Sequence, residues 1–283
     1  RVILTSRGAL PKVFNGNNIN IAGLGLWTGG ELQAYPSAAT VLPGLSNDLW
    51  YGVCLVYVDE KDGLYAVSPV RTMKLVNAGA IEIMNISPHP DPRVTLIDVY
   101  RTLGQPTEEL AKSGPLYKTR VYLNANAPTQ SYLVQEPDSL LSPVVLDRNV
   151  TEFPVAEFSA TLNGRVFLAG IPVDPDGVYF TDANNPERID VVVNRLPIEE
   201  GSGDITTGLV AAFGALFVFR TNAVWRIDDI GGNNFQRTKL HNVGAVSTNS
   251  INVFTNPESG RVHIFFWSQH GTYIYDGNTF QYI

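Results

Sequence analysis

Three apolar runs in the second half of the chain share one pattern. Gly164-Arg165-Val166-Phe167-Leu168-Ala169-Gly170, Gly214-Ala215-Leu216-Phe217-Val218-Phe219 and Gly260-Arg261-Val262-His263-Ile264-Phe265-Phe266 each set a glycine before aliphatic and aromatic residues. The leading glycines are 50 and 46 residues apart. A turn later, each run is answered by a second aromatic strand: Val178-Tyr179-Phe180, Val224-Trp225-Arg226-Ile227 and Tyr273-Ile274-Tyr275. A unit of this length is a small antiparallel sheet that cannot bury both faces alone, and its recurrence is the signature of β-propeller blades. Residues 148–283 are therefore expected to form blades, with Phe167, Phe217, Phe219, Trp225, Phe265 and Trp267 among their core anchors. The strand-like Val2-Ile3-Leu4 places residues 1–45 beside the blades as N-terminal propeller strands.

From about Asp48 the pattern changes. Residues 50–58 read as a strand rich in Val, Leu and aromatics, 59–63 as a polar hairpin turn, and 64–70 as the returning strand. Further strands are expected at 80–86, 94–102, 116–123 and 131–134. Turn signals at Ser87-Pro88, Asp91-Pro92 and Ala127-Pro128 separate several of them. Five to seven short strands in residues 46–147 fit an immunoglobulin- or fibronectin-like β-sandwich. One short helix is predicted over 107–112, because Glu108, Glu109, Leu110 and Ala111 favour helix and Gly114-Pro115 stops it. The fold class is all-β: propeller blades with an inserted or appended sandwich.

Composition supports two differently built cores. Eight of the twelve tyrosines lie between Tyr35 and Tyr132, and twelve of the thirteen phenylalanines between Phe153 and Phe280. The net charge of −7 divides as +2 over residues 1–45, −4 over 46–147 and −5 over 148–283. No basic block marks a surface that tracks phosphates, which argues against tight, sequence-independent DNA binding. Cys54 is the only cysteine, so no disulfide forms within the chain. No apolar stretch reaches about 18 residues and no signal-peptide pattern is present, so neither membrane insertion nor export is predicted. The chain opens on Arg1 rather than Met, as a processed or partial chain would, and an incomplete set of blades is then expected.

Candidate chemistry is sparse. Gly23-Leu24-Gly25-Leu26-Trp27-Thr28-Gly29-Gly30 lacks the third glycine spacing and the following helix of a dinucleotide fingerprint, and reads as a turn. His89, His241, His263 and His270 show no metal-ligand spacing, and His263 alternates with apolar residues as a packed or interface strand residue does. Asp174, Asp176 and Asp182 form the densest acidic cluster, but Asp174-Pro175-Asp176-Gly177 is itself a strong turn sequence and no calcium-loop spacing surrounds it. No serine sits in a Gly-x-Ser-x-Gly setting, and no Ser-x-Asp-x-Gly-x-Thr-Trp unit of the glycan-processing propellers occurs. Asn85-Ile86-Ser87 and Asn149-Val150-Thr151 match the glycosylation acceptor pattern without other signs of secretion. No catalytic residue, metal site or cofactor is predicted.

Several of these segments resemble the β-propeller tail proteins of short-tailed bacteriophages, called nozzle or tail tubular proteins, and related head-to-tail stabilisation proteins. In the blades the resemblance is carried by the run from Gly164 to Gly170, Val178-Tyr179-Phe180-Thr181-Asp182, Asn185-Pro186-Glu187, Ile205-Thr206-Thr207-Gly208-Leu209, Leu216-Phe217-Val218-Phe219 and Val224-Trp225-Arg226-Ile227. Gly244, Ser247, Ser250-Ile251 and Gly271-Thr272-Tyr273 with Tyr275-Asp276-Gly277 complete it. In the sandwich it is carried by Tyr57-Val58-Asp59, Gly63, Ser68-Pro69 and Val99-Tyr100-Arg101-Thr102. Members are commonly longer, with more blades. The resemblance implies a virion protein of the phage tail, assembled in the host cytoplasm as a hexameric ring below the portal and adaptor. It implies contact with other tail proteins, transient passage of double-stranded DNA during ejection, and no enzymatic activity. With an acidic balance that does not grip phosphate, Asp174, Asp176, Asp228 and Asp229 are the expected channel or loop contacts. The alternative reading is a module that recognises a host glycan or receptor through the same loop tips.

Overall fold

The computed structural model describes residues 2–6, 8–14, 19–21, 32–38, 44–60, 64–125, 130–146, 153–183 and 185–283. The chain divides into two compact units, Arg1–Ala22 together with Asn149–Ile283, and Gly23–Arg148. The second unit thus interrupts the first in sequence. Both are built almost wholly of antiparallel sheet.

The first unit opens with β1 (Val2–Ser6), β2 (Ala9–Phe14) and β3 (Ile19–Ile21), a three-stranded meander. The second unit holds β4 (Gln33–Ser37), β5 (Trp50–Asp59), β6 (Leu64–Val67), β7 (Arg71–Lys74), β8 (Ala80–Ile86), β9 (Leu96–Arg101), α1 (Glu108–Ser113), β10 (Tyr117–Asn124) and β11 (Gln130–Val134). Its larger sheet runs β10-β9-β5-β6, with β7 also pairing to β5, and its smaller one runs β11-β8-β4. Val53, Leu55, Tyr57, Ile97 and Val99 of the first meet Ile81, Ile83 and Val134 of the second in one buried core, a two-layer sandwich. Cys54, Val56 and Tyr100, on the opposite face of the larger sheet, are covered by Leu116 and Leu146, so β5 is buried on both faces. That explains why residues 50–58 read as a near-continuous apolar run rather than an alternating one. Thr107 caps α1 by accepting from the Leu110 amide.

The pattern places the first boundary at 45/46, but the units part at 22/23. The reason is pairing: Gln33–Ser37 lies antiparallel to β8, which makes β4 a sandwich strand. The turn residues 61–63, the glycine-rich 23–30 and the acceptor at Asn149 lie outside the described residues.

The rest of the first unit is three successive four-stranded meanders, blade-type sheets in the order of the chain. They are β12 (Phe158–Leu162), β13 (Arg165–Ala169), β14 (Gly177–Phe180) and β15 (Arg195–Pro197); β16 (Thr206–Ala212), β17 (Ala215–Arg220), β18 (Val224–Gly231) and β19 (Asn234–His241); and β20 (Ile251–Thr255), β21 (Val262–Ser268), β22 (Gly271–Tyr275) and β23 (Phe280–Tyr282). The glycine-led runs of the sequence are the second strands β13, β17 and β21, each paired on both sides. β13 and β17, packed on both faces, have no exposed residue, whereas β21 leaves Trp267 exposed. The β12–β13 turn has Asn163 and Gly164 both at positive φ, 50° and 74°, the geometry that matches strand twist in a two-residue hairpin. At the equivalent β16–β17 turn a bulky residue takes the first position: Phe213 has φ 52° before Gly214 at 71°. Its ring packs edge-on to Tyr275 of the third blade, beside Gly277.

Neighbouring blades bury alternate residues of their second strands. Val166 and Leu168 pack with Phe153 and Ile189 and, from the first sheet, Ile3, and Phe167 and Ala169 face the second blade. Leu216 and Val218 look back to the first blade, and Ala215, Phe217 and Phe219 look on to Ile264 and Phe266 of the third. Phe167, Phe217 and Phe219 are the anchors expected. Trp225 and Phe265 are only half-buried, and Trp267 is 58% exposed.

Candidate functional site

In an antiparallel meander the connections alternate between two ends. One end of the blades carries loop 170–176, the connections 198–205 and 242–250, and the turn at 221–223. Loop 170–176 is two tight turns in succession, Asp174 N donating to Ile171 O at 3.0 Å and Gly177 N to Asp174 O at 3.1 Å. They project Asp174 and Asp176 toward two arginines.

Arg195 grips Asp174 in a fork, Nε to Oδ2 at 2.6 Å and Nη2 to Oδ1 at 2.8 Å, while the Tyr179 hydroxyl donates to Oδ2 at 2.7 Å. The fork holds the Asp174 carboxyl below its ordinary pKa despite partial burial, and Glu200, 2.8 Å from Nη1, helps raise that of Arg195. Asp176 lies 2.6 Å from Nη2 of Arg220 and accepts from the Gly201 amide at 3.0 Å. Burial opposes its ionisation, but the amide and the guanidinium outweigh burial and its pKa is lowered. Arg220 has no exposed surface and also donates to the carbonyls of Ile198 and Asp204. Asp204 in turn accepts from the Asn222 backbone amide at 3.1 Å. Gly244 sits against this knot, where a Cβ would strike the Arg220 and Ala223 carbonyls. Further along, Lys239 meets Glu199 at 2.8 Å and lies over the Trp225 ring.

Beside loop 170–176 is a cleft of about 170 Å³ lined chiefly by Val155, Ile171, Pro172, Pro175 and Ile205, with Glu157 its one carboxylate. Val173, 93% exposed, and Ile205, 64% exposed, leave this end apolar between its ion pairs.

Asp228 and Asp229 are elsewhere. They are paired residues of β18, opposite Gln236 and Phe235, near the other end of the meander, and not members of a loop tip. Arg226 Nη2 lies 2.7 Å from Asp228, and Asp229 accepts from the Gly231 amide at 2.9 Å and from Asn163 Nδ2 at 3.4 Å. The four acidic candidates therefore divide two and two. The long β18–β19 hairpin is the cause: its strands continue through residues that the Asp-Asp and Gly-Gly composition marks as a connection.

The residues that sequence reasoning missed are the arginines. Arg165 donates from Nη1 to Thr181 O at 2.8 Å and lies over the Phe180 ring; Arg220 closes an otherwise apolar strand. A lone arginine at the end of a buried strand run was the available signal, since such a charge must find partners. Among the described residues no group of His, Cys, Asp and Glu could hold a metal. His263 stacks on Phe254 with ring centroids 5.4 Å apart.

No protein-family model and no curated protein matches the chain. Among solved structures, the dihydro-heme d1 dehydrogenase NirN in complex with DHE is similar at 13% identity, with 90% of this chain and 48% of that one covered and a TM-score of 0.32. The chain thus spans about half the length of that structure.

Proposed function

We propose that this chain is a structural protein of a bacteriophage tail, whose blades form part of a ring-shaped conduit below the portal and adaptor through which double-stranded DNA passes during ejection. The observation that carries the reading is the state of the cations. Of the eight described cations in 153–283, five, Arg188, Arg195, Arg220, Arg226 and Lys239, have a carboxylate partner within the blade unit, while Arg165 and Arg237 donate to backbone carbonyls. A wall over which DNA slides must not hold the phosphates, and a guanidinium already forked to a carboxylate releases little on meeting one. The acidic residues serve this role by occupying the arginines rather than by standing free as a repelling lining. The resemblance of the glycine-led segments to tail nozzle proteins supports the same reading, which assigns the blades no catalytic step.

The apolar cleft lined by Ile171, Pro172, Pro175 and Ile205 favours a second reading, a module that docks a receptor or another tail protein. Electron microscopy of the assembled protein separates the two. A ring with an open lumen is the expected result; a monomer, or a lumen lined by unpaired arginine and lysine, would defeat the conduit.

A further inference from the structure

The connection from β8 to β9 in the sandwich carries a proline at every second position, Pro88, Pro90 and Pro92, and so has few backbone amides with which to hold itself together. Its ends are pinned to β5: the Tyr57 hydroxyl donates to the Ser87 carbonyl, and Thr95 N donates to Val58 O at 3.0 Å. Between the pins, two amides turn to the side chain two residues earlier. Asp91 N donates to Nδ1 of His89 at 3.0 Å, and Arg93 N donates to Oδ1 of Asp91 at 2.9 Å.

The two acceptors are not equivalent. Arg93 forks onto the Asp91 carboxylate, Nε to Oδ1 at 3.1 Å and Nη2 to Oδ2 at 2.7 Å. Burial opposes ionisation of Asp91, but the bonds from Arg93 outweigh it and hold the carboxyl below its ordinary 3.8. Asp91 is thus a fixed acceptor. His89 accepts only while its proton sits on Nε2, and a second proton, at Nδ1, sets a donor against the Asp91 amide. The ring packs on Tyr57 with centroids 5.0 Å apart, and Nε2 is buried with no hydrogen-bond partner among the described residues. The groups that face the ring are Asp91, which favours the cation, Arg93, which opposes it, and the phenol of Tyr57 on β5, kept un-ionised by burial. Burial prevails, and the pKa of His89 lies below its ordinary 6.5.

We propose that loop 87–95 is an acid-released latch: protonation of His89 breaks its bond to the Asp91 amide and frees the loop between its two pins on β5. A histidine whose folded pKa is depressed adds stability that is complete above the unfolded value and is lost as pH falls from there toward the folded one. The window therefore opens below 6.5 and lies above the one in which Asp91 titrates, since the folded pKa of Asp91 is under 3.8. The latch belongs to the unit of residues 23–148 and stands whether or not the blades form a conduit.

The test follows the histidine rings of the intact chain by NMR, and the peptides covering 87–95 by hydrogen exchange, with His89→Asn alongside, over a pH range of about 7.5 to 4.5. His89 should carry its proton on Nε2 at neutral pH and titrate below 6.5. Protection of the loop, corrected for intrinsic exchange, should fall over the same range. The open loop should become about tenfold more populated for each unit by which the folded pKa lies under the unfolded one. Asparagine keeps an acceptor for the amide two residues on, as Asp91 does, and cannot titrate, so the acid step should vanish in His89→Asn. A proton on Nδ1 at neutral pH, a midpoint at or above 6.5, or an acid step retained in His89→Asn would overturn the latch.

Discussion

Arg220 of the second blade reaches the carboxylate of Asp176 in the first at 2.6 Å, with no part of the arginine exposed. The pair ties two sheets whose apolar faces already meet, and adds direction to a contact that hydrophobic burial leaves orientationally loose. It also places an ion deep enough that its partners must stay complete.

Arg220→Ala should therefore be far more damaging than an ordinary surface change. Removing one partner of a buried pair leaves the other charge uncompensated and costs about 3–5 kcal/mol. Thermal unfolding should show the blade unit melting well below the native temperature. An unchanged melting temperature would mean the knot does not join the blades.

The acid side of the stability curve should report the same knot. Asp174 and Asp176 both have folded pKa values below their ordinary 3.8. A depressed folded pKa adds stability that is fully present above the unfolded value and is lost as pH falls through the folded one. Blade stability is thus expected to be insensitive to these groups from pH 7 to about 5 and to fall below about pH 4. Asp174→Asn/Asp176→Asn should flatten that fall, as followed by denaturant titration at each pH.

Phe217→Ala should cost about 3–5 kcal/mol, because the ring is fully buried between two blades. Trp225→Ala should cost less, since its indole is half-exposed under Lys239. Equal losses in paired melting curves would contradict this order.

Freeing a cation should make the surface adhesive. Asp174→Asn/Glu200→Gln strips Arg195 of both carboxylate partners. The double variant should retain double-stranded DNA at low ionic strength more than the native chain does, with the salt slope steepened by about one phosphate contact. Filter-binding titrations at several salt concentrations decide it.

The repeat was legible because β13 and β17 are covered on both faces by neighbouring sheets, and a strand buried on both faces reads as a near-continuous apolar run. The outer strand β19 was not legible: it is mostly exposed, so Asn234–His241 carries no apolar run to mark it as a strand. For the same reason Asp228 and Asp229 read as a loop tip. β4 was obscured differently, since Gln33–Ser37 is short, contains Pro36 and pairs only with a strand some 45 residues on. Asp174 and Asp176 were correctly found on a turn, but their arginines come from β15 and β17, and no local pattern records that meeting. Trp267 was misread because alternation identifies which residues share a face, not whether a neighbour lies on it.

Phe213 extends the point to folding. A phenyl side chain at φ 52° occupies a region that Asn163 and most glycines enter more readily, so the β16–β17 hairpin alone has little reason to keep this turn. Its support comes from Tyr275, in a sheet that the chain supplies about sixty residues later. The turn of the second hairpin thus draws its support from the third sheet, so these two blades share a backbone conformation as well as an apolar face.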